Sequence, residues 1–213
     1  MLVINDVTLG FGETPLFAPI SLEVAAGDIA LLTAPSGVGK STLLRWICGM
    51  VDAGLTAKGD IFLDGELMND VAIEKRQMGM MFQEPLMFPH LTVAGNLAFG
   101  LNRSGTSAER KSIIASQLEE MGMAGFQDRD PMTLSGGQKA RIALIRCMLA
   151  QPKALLLDEP FSGLDDETRE DFADLVKRAV RARKLPVLMV SHDPRDRNYA
   201  DHPPIPLYPF TDV

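Results

Sequence analysis

At 213 residues the chain has room for one large domain, or one domain carrying a subdomain. Its 46% apolar and 23% charged residues are enough to bury a sizeable core and exclude extensive disorder. The formal net charge of −7 argues against a nucleic-acid partner, which favours a basic surface.

The N-terminus, Met1-Leu2-Val3-Ile4-Asn5-Asp6, lacks the basic and apolar regions of a signal peptide. No apolar run approaches the roughly 20 residues that span a bilayer, so work at a membrane requires a partner to hold the chain there. Cys48 and Cys147 lie far apart, without C-x-x-C or metal spacing. They read as small buried hydrophobes in a reducing cytosol.

In chain order, Leu2 to Thr8 alternates up to Gly10-Phe11-Gly12 and predicts a strand ending in a turn. Ser21 to Val24 and Asp28 to Thr33 predict two more, and Ser41 to Met50 a helix. Lys58 to Asp64 predicts a strand entering a tight Asp64-Gly65 turn, and Gln77 to Phe82 a short apolar strand. Thr92 to Leu101 and Ser107 to Met123 predict helices capped by Thr92 and Ser107. These polar helices suggest a helical subdomain over 84–134, inserted into an α/β core formed by 1–83 and 135–213. Strand–helix units then resume: a helix from Gly136 to Ala150, a strand from Ala154 to Leu157, a helix from Asp166 to Arg183 and a strand from Val187 to Val190. Unbroken apolar runs such as Ala154-Leu155-Leu156-Leu157 fit a parallel sheet covered on both faces. The Pro-rich end, with Pro203, Pro204, Pro206 and Pro209, is expected as an edge segment or a loose tail.

Ala34-Pro35-Ser36-Gly37-Val38-Gly39-Lys40-Ser41-Thr42 follows a strand and opens a helix, the context a phosphate loop requires. Gly37 and Gly39 let backbone N–H groups turn toward phosphate oxygens, and the helix N-terminus adds its positive dipole end. Lys40 would reach the terminal phosphates and the Ser41 hydroxyl would ligate Mg²⁺. Ala34 stands where glycine is usual. Were its φ positive, alanine would cost roughly 1–2 kcal/mol there. The strand ending in Asp158-Glu159 sets two carboxylates at the sheet's C-terminal edge, where open α/β sheets bind ligands. Asp158 is expected to hold Mg²⁺ and Glu159 to polarise the attacking water as general base.

Leu134-Ser135-Gly136-Gly137-Gln138 opens a helix some twenty residues before Asp158-Glu159, and it resembles the signature of ABC ATPases. A serine and two glycines at a helix N-terminus form a second anion site. The resemblance implies a P-loop NTPase of α/β class, with a mostly parallel central sheet, an N-terminal antiparallel β subdomain and an inserted α-helical subdomain. It also implies an ATP-dependent homodimer in which Ser135 and Gly137 of one copy complete the ATP site of the other. Phe11 resembles the aromatic that stacks on adenine, and Gln83 the glutamine that contacts Mg²⁺ and water. Ser162-Gly163-Leu164-Asp165 resembles the loop through which the two sites communicate, and His192 the histidine on the γ-phosphate.

Gln83-Glu84-Pro85-Leu86-Met87-Phe88-Pro89-His90-Leu91-Thr92-Val93 is similar to importer ATPases for thiamine, ferric iron, spermidine or molybdate. That similarity implies integral-membrane permease subunits docking around Met87, Phe88 and Leu91, a solute-binding protein in the full system, and a place on the inner face of the cell membrane. The longer importer ATPases carry a C-terminal regulatory domain, which a chain of this length is expected to lack. The competing readings are a non-transport ABC ATPase of translation or DNA-maintenance type, and a small P-loop kinase, in which Leu134 to Gln138 would have no role.

Overall fold

The computed structural model describes residues 1–101 and 105–210. The strands and helices follow in the order β1 (Leu2–Phe11), β2 (Thr14–Pro15), β3 (Ile20–Val24), β4 (Ile29–Thr33), α1 (Lys40–Cys48), β5 (Leu55–Leu63), β6 (Glu66–Leu67), β7 (Met78–Met81), α2 (Val93–Ala98), α3 (Ser107–Glu120), α4 (Gly136–Leu149), β8 (Ala154–Asp158), α5 (Asp166–Arg183), β9 (Val187–Ser191) and β10 (Ile205–Pro206). They build two sheets. One is antiparallel and runs β2-β1-β5-β6, with β3 also paired to β1; the other runs β10-β4-β9-β8-β7 and is parallel throughout.

Residue alternation on the parallel strands sorts the core into two layers. Leu31, Leu155, Leu157 and Val187 face α4 and α5, together with Val93 and Leu97 of α2 and Ile114 and Leu118 of α3. Leu32, Leu156, Leu188 and Val190 face α1 and the antiparallel sheet. β8 and β9 are buried at every position, as the unbroken apolar runs require.

Local chemistry fixes the turns. Asp64 (φ 51°) and Gly65 (φ 84°) form the tight turn from β5 to β6. β1 bulges at Asp6 (φ 50°), where its backbone comes so near β5 that a Cβ on Gly59 would lie 2.4 Å from the Asp6 carbonyl oxygen. Only glycine fits there.

Several expected element ends shift, and the tail resolves one of two alternatives. β5 starts earlier, at Leu55, and α1, α2 and α3 stop at Cys48, Ala98 and Glu120. α3 is capped by Thr106 rather than Ser107, because Thr106 and Glu109 bond each other's backbone N–H as a capping box. In the tail the edge alternative holds: Ile205 and Pro206 pair parallel to β4, at an edge where the missing proline N–H is harmless. Between 84 and 134 the described residues form helices and turns and no strand; residues 102–104 and 211–213 of the expected subdivisions lie outside the description.

Candidate nucleotide site

From the end of β4 the chain turns through residues 34–39 into α1. Gly39 (φ 102°) is the residue before the helix, and a Cβ on it would press to 3.0 Å from the Leu16 side chain. Having no side chain, it leaves the first-turn N–H groups of α1 uncapped and able to receive an anion. Val38 is buried and pins the loop to the core. Ala34 is buried too and does not adopt a positive φ, so the backbone penalty considered above does not arise. Lys40, only 6% exposed, donates through Nζ to the carbonyl oxygens of Ala34 (2.8 Å) and Pro35 (3.1 Å).

β8 delivers the carboxylates. Asp158 Oδ1 accepts from Ser41 Oγ at 3.0 Å; burial raises its pKa above the ordinary carboxylate value, against the lowering effect of that bond. Glu159 sits in the left-handed region (φ 45°) while its N–H still bonds to the Val190 carbonyl. A non-glycine residue held there costs about 1–2 kcal/mol, a backbone strain of the kind that clusters at functional sites. Glu159 Oε1 lies 2.9 Å from His192 Nδ1 and 3.9 Å from Lys40 Nζ, and Oε2 accepts from Gln83 Nε2 at 3.4 Å. Ser36, Gly37, Gly39, Lys40, Ser41, Thr42, Gln83, Glu159 and His192 line one cleft of about 330 Å³.

The remaining expected residues stand outside this cleft. Phe11, at the end of β1, is 46% exposed. Ser135 and Gln138 form a capping box that starts α4, leaving Ser135 and Gly136 on the surface. Gly137 packs so close to α5 that a Cβ would meet Thr168 Cγ2 at 2.4 Å. Asp165 caps α5, accepting from the Thr168 backbone (2.9 Å) and hydroxyl (2.8 Å). Met87 turns partly into the core, while Leu86 (59%), Phe88 (39%) and Phe99 (64%) are exposed and the Phe88 and Phe99 rings stack at 4.5 Å.

Sequence reasoning missed several supporting residues. Arg76, 4% exposed, donates to the carbonyls of Trp46 and Ile47 at the end of α1 and to those of Asn69 and Val71. Asn96 is fully buried and bonds both the N–H and the carbonyl of Phe88. Asp193 and Asp196 tie down the loop that carries His192. Buried polar residues of this kind have no sequence period.

A phosphate loop at the C-terminal edge of a parallel sheet, with a carboxylate pair opposite it, defines a P-loop nucleoside triphosphatase. The chain belongs to the ABC transporter family, whose pattern matches residues 17–162. It is 41% identical over 196 residues to the uncharacterized ABC transporter ATP-binding protein YnjD of Escherichia coli K12, covering 92% of this chain and 90% of that one. It is 39% identical to the sulfate/thiosulfate import ATP-binding protein CysA of Gloeobacter violaceus, over 92% of this chain but only 56% of that protein's length. It is 43% identical to the thiamine import ATP-binding protein ThiQ of Photobacterium profundum, over 80% of this chain and 70% of that protein. Among solved structures, the dimeric bacterial ABC transporter cassette MJ0796 superposes with a TM-score of 0.82 at 26% identity, covering 97% of this chain and 94% of that one. The same cassette in a post-hydrolysis state with ADP and Pi also gives a TM-score of 0.82. This chain is an ATP-binding protein of that family.

Proposed function

We infer that the chain is the ATP-hydrolysing motor of an ABC importer, working as a homodimer on permease subunits at the inner face of the cell membrane. The observation that carries the reading is the division of labour on one chain. Lys40, Ser41, Gln83, Glu159 and His192 converge on a single cleft, while Ser135 and Gly136 of the second anion motif lie on the surface away from it. A serine and glycine exposed at a helix N-terminus away from the chain's own cleft can meet the phosphate of another molecule. The dimeric state of the similar cassette supports a second copy as that molecule.

The hydrolytic roles follow from the geometry. The loop amides and the α1 N-terminus receive the phosphates, and Lys40 exchanges its bonds to Ala34 and Pro35 for phosphate oxygens. Glu159 takes the proton of a water aimed at the γ-phosphorus as the bond to ADP breaks, and His192 and Gln83 hold that carboxylate from two sides. The oxygen donors of Ser41, Asp158 and Gln83 fit Mg²⁺. Among the described residues no group of three or more His, Cys, Asp or Glu could hold a metal, so the ion would share its coordination with phosphate and water. When bound it neutralises charge on the terminal phosphates. Phe11 supplies an accessible ring for adenine, and the loop ending at Asp165 links the two sites of the dimer.

Segment 84–134 acts as the helical subdomain that meets the permease. Its exposed Leu86, Phe88 and Phe99, beside Met87 and Leu91, offer an apolar, adaptable surface for a partner helix. No described helix is long and apolar enough to cross a membrane, so a partner must supply the span. A solute-binding protein completes the expected system. The import relatives favour transport over translation or DNA maintenance. Purification from membranes with the chain tagged tests the reading: a co-purifying polytopic protein and Mg-dependent ATPase activity are expected, and a ribosomal or DNA complex would reverse it.

A further inference from the structure

Arg169 is 4% exposed, on the first turns of α5, and none of the sequence motifs includes it. Its Nη1 donates to Asp193 Oδ2 and to Asp196 Oδ1, both at 2.8 Å, and its Nη2 donates to the carbonyl of Phe161 at 3.3 Å. Asp193 follows His192 in the chain. Asp196 accepts from the hydroxyl of Ser191, the residue before His192, at 2.6 Å, and that same hydroxyl accepts from the Asp193 N–H at 3.0 Å. Both chain neighbours of His192 are therefore tied to one guanidinium. Phe161 and the N-cap Asp165, whose carbonyl accepts the Arg169 N–H, belong to the segment that runs from Glu159 into α5.

We propose that Arg169 is a positioning residue for hydrolysis: it fixes the His192 loop against the Glu159–Asp165 segment and so sets the His192–Glu159 contact. The role rests on the ATPase reading above. A planar fork of five donors can span two carboxylates and a carbonyl, whereas a lysine ammonium is a point charge on a flexible stem. The geometry also relates the two halves of the dimer site. Movement of the loop ending at Asp165, when a second copy closes, reaches the His192 loop through this buried side chain and through the exposed Arg195, which bonds both Asp166 and Asp193 at 2.7 Å. The Arg169 Nε is the single buried side-chain N or O atom without a partner among the described residues. The rival is that the cluster only anchors α5.

The test is steady-state ATPase activity of the purified full chain in wild type, Arg169→Lys, His192→Ala and the double variant. Arg169→Lys is expected to lower kcat about 10-fold or more while KM for ATP stays within about 2-fold. In the His192→Ala background the same substitution should change kcat by less than about 2-fold, since it acts through the missing imidazole. An equal fall in both backgrounds, or a wild-type kcat in Arg169→Lys, overturns the proposal. If Arg169→Lys does not fold, Asp196→Asn, which weakens the hold on Ser191, must give the same pattern. If the wild type hydrolyses no ATP, it is the ATPase reading that fails. The imidazole ¹⁵N resonance of His192, assigned by its loss in His192→Ala, then decides: a shift in Arg169→Lys supports the clamp, and an unmoved resonance refutes it.

Discussion

His192 Nδ1 stands 2.9 Å from Glu159 Oε1, which joins the loop after β9 to the end of β8 across the parallel sheet. Oε2 of the same carboxylate is held by Gln83, so the proposed general base is oriented from two sides. His192→Ala should therefore lower kcat by about 10²-fold while leaving the ATP dissociation constant within a few-fold, because the phosphates bind to Lys40 and the loop amides. Equilibrium binding of a fluorescent ATP analogue beside turnover separates the two. A large loss of binding with kcat intact would assign His192 to the ground state.

Ala34→Gly is expected to bring no gain in nucleotide affinity. Ala34 does not adopt a positive φ and its methyl group is buried, so glycine only adds freedom to the unfolded chain and removes packing. Unfolding in urea should show a loss of about 0.5–1 kcal/mol, and titration a dissociation constant within about 2-fold. Tighter binding in the glycine variant would mean that the alanine strains the bound loop.

Burial pushes the Cys147 thiol up to about 11 and raises that of Cys48 as well. Both are neutral in the fold, whereas an unfolded thiol ionises near pH 8.5. The stability this gives is full below about pH 8.5 and declines as pH rises from there toward 11. Thermal melts between pH 7.5 and 10.5 should show that decline, and it should lessen in a Cys48→Ala, Cys147→Ala variant. At pH 8 a disulfide reagent should label the chain only after urea, and prompt labelling of both thiols in the folded protein would contradict the shift.

The exposed stack of Phe88 on Phe99 should be a partner contact rather than a stabilising one. Phe88→Ser with Phe99→Ser is expected to change stability by only about 0.5 kcal/mol per site, as exposed substitutions do. Co-purification of the polytopic partner should be lost. Cooperative unfolding in urea and a membrane pull-down read the two effects, and full recovery of the partner would move the docking surface elsewhere.

Sequence reasoning captured what has a period or a fixed local geometry. The apolar runs of β8 and β9 implied a buried parallel sheet, and Gly37 and Gly39 implied a tight loop before α1, in which both adopt a positive φ. Helix ends were less legible. Thr106 and Ser107 are equally plausible caps until the Glu109 carboxylate chooses between them. Long-range polar contacts were not legible at all: Arg169 to Asp196 spans 27 positions and Arg76 to Trp46 spans 30, and no spacing rule joins them. The left-handed backbone of Glu159 was equally hidden, since glutamate has no preference for it.

On the proposed mechanism, one chain's cleft completes catalysis only when a second copy closes over it. Glu159→Gln tests it most directly. The amide keeps the side chain's size and its strained backbone, yet it cannot take a proton from water. Sedimentation of this variant with Mg-ATP should show a stable dimer with ATP retained unhydrolysed and turnover reduced by at least about 10²-fold. A monomer under saturating ATP, or hydrolysis at the wild-type rate, would contradict the account.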